Sequence, residues 1–159
     1  MVKNGKVVVA CEEERFTRKK GDSSFPINAI IYCIEHENIS FDDIQRVVYY
    51  EDTAEKFGRI LTNSQLTAPM GISQFLNSVP VWINNKLWVQ KKIAKELGIK
   101  TNKIVSLTHH LSHAAAAFYP SPFDSAAVLT VDGVGEWTTT AWGVCKGAEI
   151  DLREEIRFP

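Results

Sequence analysis

The order of hydrophobic periods in the last third of this chain constrains its fold more than any other feature. An apolar strand, Lys103–Leu107, is followed by a helix from His109 to about Tyr119 and by a second apolar strand, Ser125–Val131. A glycine turn at Gly133–Gly135 then opens two further strands, Thr138–Cys145 and Glu149–Phe158, joined at Lys146-Gly147. A helix set between strands buries its apolar stripe against a sheet face, and strands that follow one another through tight turns extend a sheet antiparallel. The expected class is therefore α/β, a mixed sheet with flanking helices.

The rest of the chain fits that scheme. Asn4-Gly5 is a hairpin turn pair, because both central positions need positive φ, and the strand Lys6–Cys11 follows it. Only Met1–Lys3 precede the turn, and Pro159 closely follows the last strand, so the chain reads as one partial domain, 1–159, truncated at both ends. Glu12–Asp22 has no apolar period and reads as loop or edge. Pro26 suits a first helical position, and Ile27, Ile30, Ile31 and Ile34 recur at helical spacing in a helix ending near Asn38. Ser40, Asp42 and Asp43 make a capped turn into the strand Arg46–Tyr50. Thr53–Leu66 is amphipathic, and Pro69-Met70-Gly71 breaks it. A helical pattern runs from Ile72 to Leu97 with an interruption at Pro80; Trp82, Ile83, Leu87 and Trp88 form its stripe, and Gly98 caps it.

Bulk properties remove several function classes. A chain of 159 residues, 45% hydrophobic and 23% charged, holds one domain with a real core. Its formal net charge of −1 exerts no general pull on nucleic acid. Cys11, Cys33 and Cys145 are odd in number and far apart, fitting neither a disulfide framework nor a Cys-x-x-Cys metal site, so reduced and mostly buried thiols are expected. The apolar runs are too short for a signal core or a membrane span, which makes the cytoplasm the expected location.

Three clusters carry chemistry. In Thr108-His109-His110-Leu111-Ser112-His113, Thr108 is an N-cap, and His109 and His113 lie four apart on one helix face, close enough to share an ion. His110 points elsewhere, and the alanines at 114–117 let the helix approach a sheet closely. Satisfied or exposed histidines give the same pattern. In Val131-Asp132-Gly133-Val134-Gly135-Glu136, a strand ends in a carboxylate and two glycines whose amides could approach a phosphate; a plain Asp-Gly hairpin is the alternative. Two imidazoles and one carboxylate suit Fe(II) or Zn²⁺ and leave positions open for substrate oxygen. In Glu12–Asp22, three acids precede four bases; this is a self-compensating solvated face, or else Arg15, Arg18 or Lys20 reaches an anion.

Taken in order, the strings EERFTRKKGDSSFP (Glu13–Pro26), HHLSHAAAAFYPSPF (His109–Phe123) and LTVDGVGEWTTT (Leu129–Thr140) resemble the large O-carbamoyltransferases of the nodulation-protein U and cephamycin or aminoglycoside type. PMGISQFLNSVPVWINNKLW is similar as well, so the resemblance spans essentially the whole chain. It implies part of the duplicated ribonuclease H-like nucleotide-binding fold shared by actin, sugar kinases and heat-shock ATPases. It implies enzymes that use ATP and carbamoyl phosphate to make a carbamoyl-adenylate and pass the carbamoyl group to a hydroxyl of a small molecule or sugar. His109, His113 and Asp132 match metal ligands, with Fe(II) ahead of Zn²⁺. Lys20 and Asp22 match part of a basic N-terminal motif; in the mechanism this implies, Glu136 stands behind the ligands or acts as a base, with the Gly133 and Gly135 amides as the phosphate contacts read from the turn. Gly21 stands where the motif has histidine. The family's opening strand, its fourth ligand in a C-terminal half and its adenylate-forming domain are not in this sequence, so this chain alone is not expected to turn over. The alternatives are a sugar kinase or tRNA threonylcarbamoyl-type transferase, and a non-catalytic ATP-fold binding module.

Overall fold

A computed structural model describes residues 1–157, apart from the side chains at 74 and 85. The fold is mixed α/β and divides into two compact units, Met1–Gln45 and Arg46–Pro159.

In the first unit, β1 (Val2–Lys3) pairs with β2 (Lys6–Val7) through Asn4 and Gly5, at φ 53° and 76°. The expected strand to Cys11 is shorter: β2 ends at Val7, and Val8 then donates to the Met1 carbonyl at 3.0 Å. The expected loop at Glu12–Asp22 contains a one-turn helix, α1 (Glu14–Thr17), closed by Arg18 at φ 59°. Side-chain bonds rather than apolar spacing hold this turn, with the Gly21 amide donating to Glu14 at 2.9 Å, so it left no periodic signal. Helix α2 (Ile27–His36) buries Ala29 and Ile34. Its N-terminus is held by Glu13, whose carboxylate accepts from the Ala29 amide at 2.9 Å and from the Asn28 side chain at 2.6 Å. The turn at Ser40–Asp43 is a reciprocal capping box, as its residues predict.

One structural result corrects the reading of the cysteines. Cys11 and Cys33 are partly exposed, and their sulfurs lie 3.6 Å apart. The chain separation of 22 residues concealed this, because α2 folds back along the segment leaving β2.

In the second unit, β3 (Val47–Tyr49) runs parallel to β4 (Ile104–Ser106), and β5 (Ser125–Val131), β6 (Thr138–Lys146) and β7 (Glu149–Arg157) form an antiparallel sheet. The last residue expected in β7, Phe158, lies outside the described residues. Among those residues the strands form three separate sheets instead of the one mixed sheet expected. Tight hairpins pair β5–β7 with one another, while the three-residue strands β3 and β4 pair only with each other. Glycine is required at Gly143, where β6 shifts register: a Cβ there would lie 2.1 Å from the Asp151 carbonyl oxygen.

Helix α3 covers Thr53–Leu66, as the amphipathic pattern predicts, with the Asp52 carboxylate capping the Ala54 amide at 2.9 Å. The expected interruption at Pro80 falls elsewhere. Helix α4 (Ile72–Val81) passes through the proline, and the chain then makes one wide turn, Trp82–Lys86, before α5 (Val89–Leu97). Pro80 costs one helical N–H, and the widened turn, with Leu87 donating to the Trp82 carbonyl at 3.0 Å, absorbs the mismatch. It also rotates the expected stripe apart, leaving Trp82 buried and Ile83 and Trp88 about half exposed. Gly98 caps α5 at φ 66°. No helix among the described residues is long and apolar enough to cross a membrane.

Helix α6 (His109–Phe118) lies on the antiparallel sheet. His110, Ala114 and Phe118, four apart, are its buried stripe, and Ala114 and Phe118 pack with Val128 and Cys145. Burying a phenylalanine contributes roughly 2–3 kcal/mol, and a fully buried alanine at 114 lets the helix approach closely enough to realise it.

Candidate metal centre

One residue step around α6 turns the helix by about 100°, so the stripe next to the buried one carries His109 and His113 away from the core. Their Nε2 atoms lie 3.0 Å apart with the rings at right angles, and His109 Nε2 is 2.8 Å from Asp132 Oδ2. One ligand atom from each of His109, His113 and Asp132 falls within 4.8 Å of the others. The structure thus brings together the three residues expected as ligands, from the start of α6 and the end of β5. Strand ends β3 and β4 converge here too, since Leu107 donates to the Tyr49 carbonyl at 3.0 Å and the Tyr50 ring sits 5.7 Å from that of His109.

The donor set fits a divalent cation. Two imidazole nitrogens 3.0 Å apart can share only one proton, and the carboxylate adds further lone pairs to the same point. Ligand bonds of about 2.1 Å meeting at 90–110° separate neighbouring ligand atoms by about 3.0–3.4 Å, close to the spacing between the rings. Nδ1 of His109 is buried and has no hydrogen-bond partner among the described residues; with a cation on Nε2 it would carry the ring's proton. The Asp132 carboxyl is held below the usual carboxylate range, first by the Gly133 amide at 2.7 Å and then by the neighbouring His109.

The Gly133 amide donates to Asp132 at 2.7 Å and the Gly135 amide to the Thr138 carbonyl at 3.0 Å, so both are used inside the turn. Gly135 also supplies clearance: a Cβ there would lie 3.1–3.4 Å from Cβ, Cδ2 and Cγ of His109.

Glu136 is buried, and its carboxylate joins two helix starts. It accepts from the His109 amide at 3.0 and 3.1 Å and from the Asp52 amide at 2.7 Å. An anion placed where the N-termini of α3 and α6 meet also complements both helix dipoles. His110 is buried between helix and sheet, with Nδ1 2.7 Å from Thr130 Oγ1 and Nε2 2.8 Å from the Thr138 carbonyl oxygen, and so fixes the face that α6 presents. Sequence reasoning missed Arg59 on α3. Burial lowers its guanidinium from the ordinary value against the pull of Glu136, and its Nε is buried without a hydrogen-bond partner among the described residues.

Lys20 and Asp22 belong to the first unit. Lys20 is exposed. The Asp22 carboxyl is lowered to about 2, chiefly by Ser24, whose amide donates to it at 3.0 Å, with help from Thr17 and Lys19.

An uncharacterised protein of Synechocystis sp. is 44% identical over 166 residues, covering 100% of this chain and 27% of its own length. Nodulation protein NolNO of Sinorhizobium fredii is 33% identical over 152 residues, covering 94% of this chain and 21% of its own length. The chain thus spans about a quarter of the length of these relatives. The profile described as "Carbamoyltransferase N-terminus" matches residues 1–159, and the chain belongs to that family.

Proposed function

We propose that this chain carries the phosphate-gripping part of a carbamoyl-transfer site, in which a carbamoyl-adenylate made from carbamoyl phosphate and ATP gives its carbamoyl group to a substrate hydroxyl. The observation that carries the proposal is the convergence of His109 Nε2, His113 Nε2 and Asp132 Oδ2. Two imidazoles and one carboxylate suit Fe(II) first and Zn²⁺ second. Bound there, the cation supplies positive charge that neutralises a phosphate and stabilises the AMP leaving group.

The chain's own residues position the parts. His109 and His113 are set on one face of a helix whose neighbouring stripe is locked into the sheet. Asp132 is fixed at a strand end by the Gly133 amide. Of the two roles expected for Glu136, its bonding favours positioning over proton transfer: both oxygens already accept from the His109 amide, and one of them accepts from the Asp52 amide as well. We assign Lys20 and Asp22 to contacts with the anionic donor, on the strength of the family motif. The actin-like nucleotide-binding fold is the architecture proposed for the whole protein.

The test is metal analysis of purified protein, wild type beside His109→Ala, His113→Ala and Asp132→Ala, with product analysis using carbamoyl phosphate and ATP against other donors. We expect iron or zinc near one equivalent in the wild type, lost in each variant, and a carbamoylated product from the full-length protein. Equal metal in wild type and variants removes the site.

A further inference from the structure

We propose that Cys11 and Cys33 are a reversible redox modification site, closing to an intrachain disulfide when the protein meets a small-molecule disulfide such as oxidised glutathione. This proposal is independent of the transfer reading, since both residues lie in the first unit.

The geometry supports it from two directions. The sulfurs lie 3.6 Å apart, and Cys11 Sγ is also 3.4 Å from the Ala29 carbonyl oxygen. Ala29 and Cys33 are four apart on α2, so Cys11 lies along one face of that helix. A disulfide bond is about 2.05 Å long, so the sulfurs must approach by about 1.5 Å, within reach of side-chain rotation.

The frame around the pair limits other outcomes. Two residues beyond Cys11, Glu13 grips the start of α2 through the Asn28 side chain and the Ala29 amide. On the other side, the Met1 ammonium donates to the Val9 carbonyl. The segment bearing Cys11 is therefore tied down on both sides. Each cysteine is partly exposed, so a small disulfide can reach the pair, whereas Cys145 is fully buried and serves as an internal control.

The chemistry balances. A thiolate from one cysteine attacks a sulfur of the small disulfide, forms a mixed disulfide and releases one small thiol. The second cysteine then attacks the protein sulfur of that mixed disulfide, forms the Cys11–Cys33 bond and releases a second small thiol. Two protein thiols are oxidised, one small disulfide is reduced to two thiols, and the protons of the cysteines end on those thiols. Burial, followed by the Cys33 sulfur beside it, pushes the Cys11 thiol up, so exchange quickens as pH rises.

The experiment equilibrates the native chain in oxidised and reduced glutathione at a series of ratios, followed by alkylation and peptide mass mapping, with Cys11→Ser and Cys33→Ser alongside. The expected result is loss of two of the three thiols together, a peptide joining Cys11 to Cys33, and full reversal by excess reduced glutathione. Each serine variant should stop at a glutathione mixed disulfide on its remaining partner. The proposal is overturned if both cysteines stay reduced at the most oxidising ratio, or if wild type carries separate glutathione adducts with no joined peptide.

Discussion

Replacing Glu136 with alanine takes the acceptor away from two backbone donors at once, the amides of Asp52 and His109, at 2.7 and 3.0–3.1 Å. Hydrogen bonds to a charged group contribute about 1.5–3 kcal/mol each, and a buried donor left without a partner costs a similar amount. Both donor residues are partly exposed, so water recovers part of the loss, and the expected destabilisation is about 2–4 kcal/mol. Against a typical domain stability of about 5–15 kcal/mol the variant still folds. Glu136→Gln keeps the shape and a carbonyl oxygen that can accept from both amides where Oε1 does, but it loses the charge and the second His109 contact, so about half that loss is expected. Urea denaturation of the three proteins should rank wild type above Gln above Ala with an unchanged m-value. Metal titration of the folded proteins should show affinity falling about tenfold in the alanine variant, because the backbone of His109 has lost its anchor. If Glu136→Ala stays within about 0.5 kcal/mol of wild type and binds metal equally well, the clamp does not hold the site.

Three further outcomes follow from particular contacts. Gly135→Ala puts a methyl against the His109 ring at 3.1–3.4 Å; metal affinity should drop about tenfold while the melting curve moves little, as read by titration and calorimetry on one preparation. Gly143→Ala would set a Cβ 2.1 Å from the Asp151 carbonyl oxygen, and at least about 3 kcal/mol of stability should be lost, measured by denaturant unfolding. Asp22 has its folded-state value depressed to about 2, so its contribution to stability is fully present above the unfolded value near 3.8 and vanishes as pH falls toward 2. Acid unfolding of Asp22→Asn should lack that segment of pH dependence, and an NMR titration of Asp22 with its midpoint near 4 would contradict the Ser24 contacts as its cause.

Much of the fold was legible where local pattern and tertiary packing agree. Thr53–Leu66 and Ser125–Val131 have the predicted bounds because an amphipathic stripe and a run of β-forming residues each determine their own span. The convergence of three candidate ligands was legible because His109 and His113 share a face by helical geometry and Asp132 ends the next strand. What stayed hidden depends on contacts between residues distant in sequence. The Cys11–Cys33 contact spans 22 residues, and the bond between Glu136 and Asp52 spans 84; neither leaves a period or a spacing to read. The displaced break near Pro80 has a different cause: loss of one N–H admits either a kink at the proline or a widened turn beyond it, and local propensity does not choose between them.

The connection from β5 to β6, residues 132–137, holds the carboxylate that meets His109 at its first position and the double helix clamp at its fifth, with a glycine between them shaped to a histidine side chain. Such a connection tolerates neither insertion nor deletion, because one added residue would move the two carboxylates out of phase. Variation in length among related chains should therefore accumulate at the far end of the same sheet, in the Gly147 turn, and protein engineers should graft new loops there.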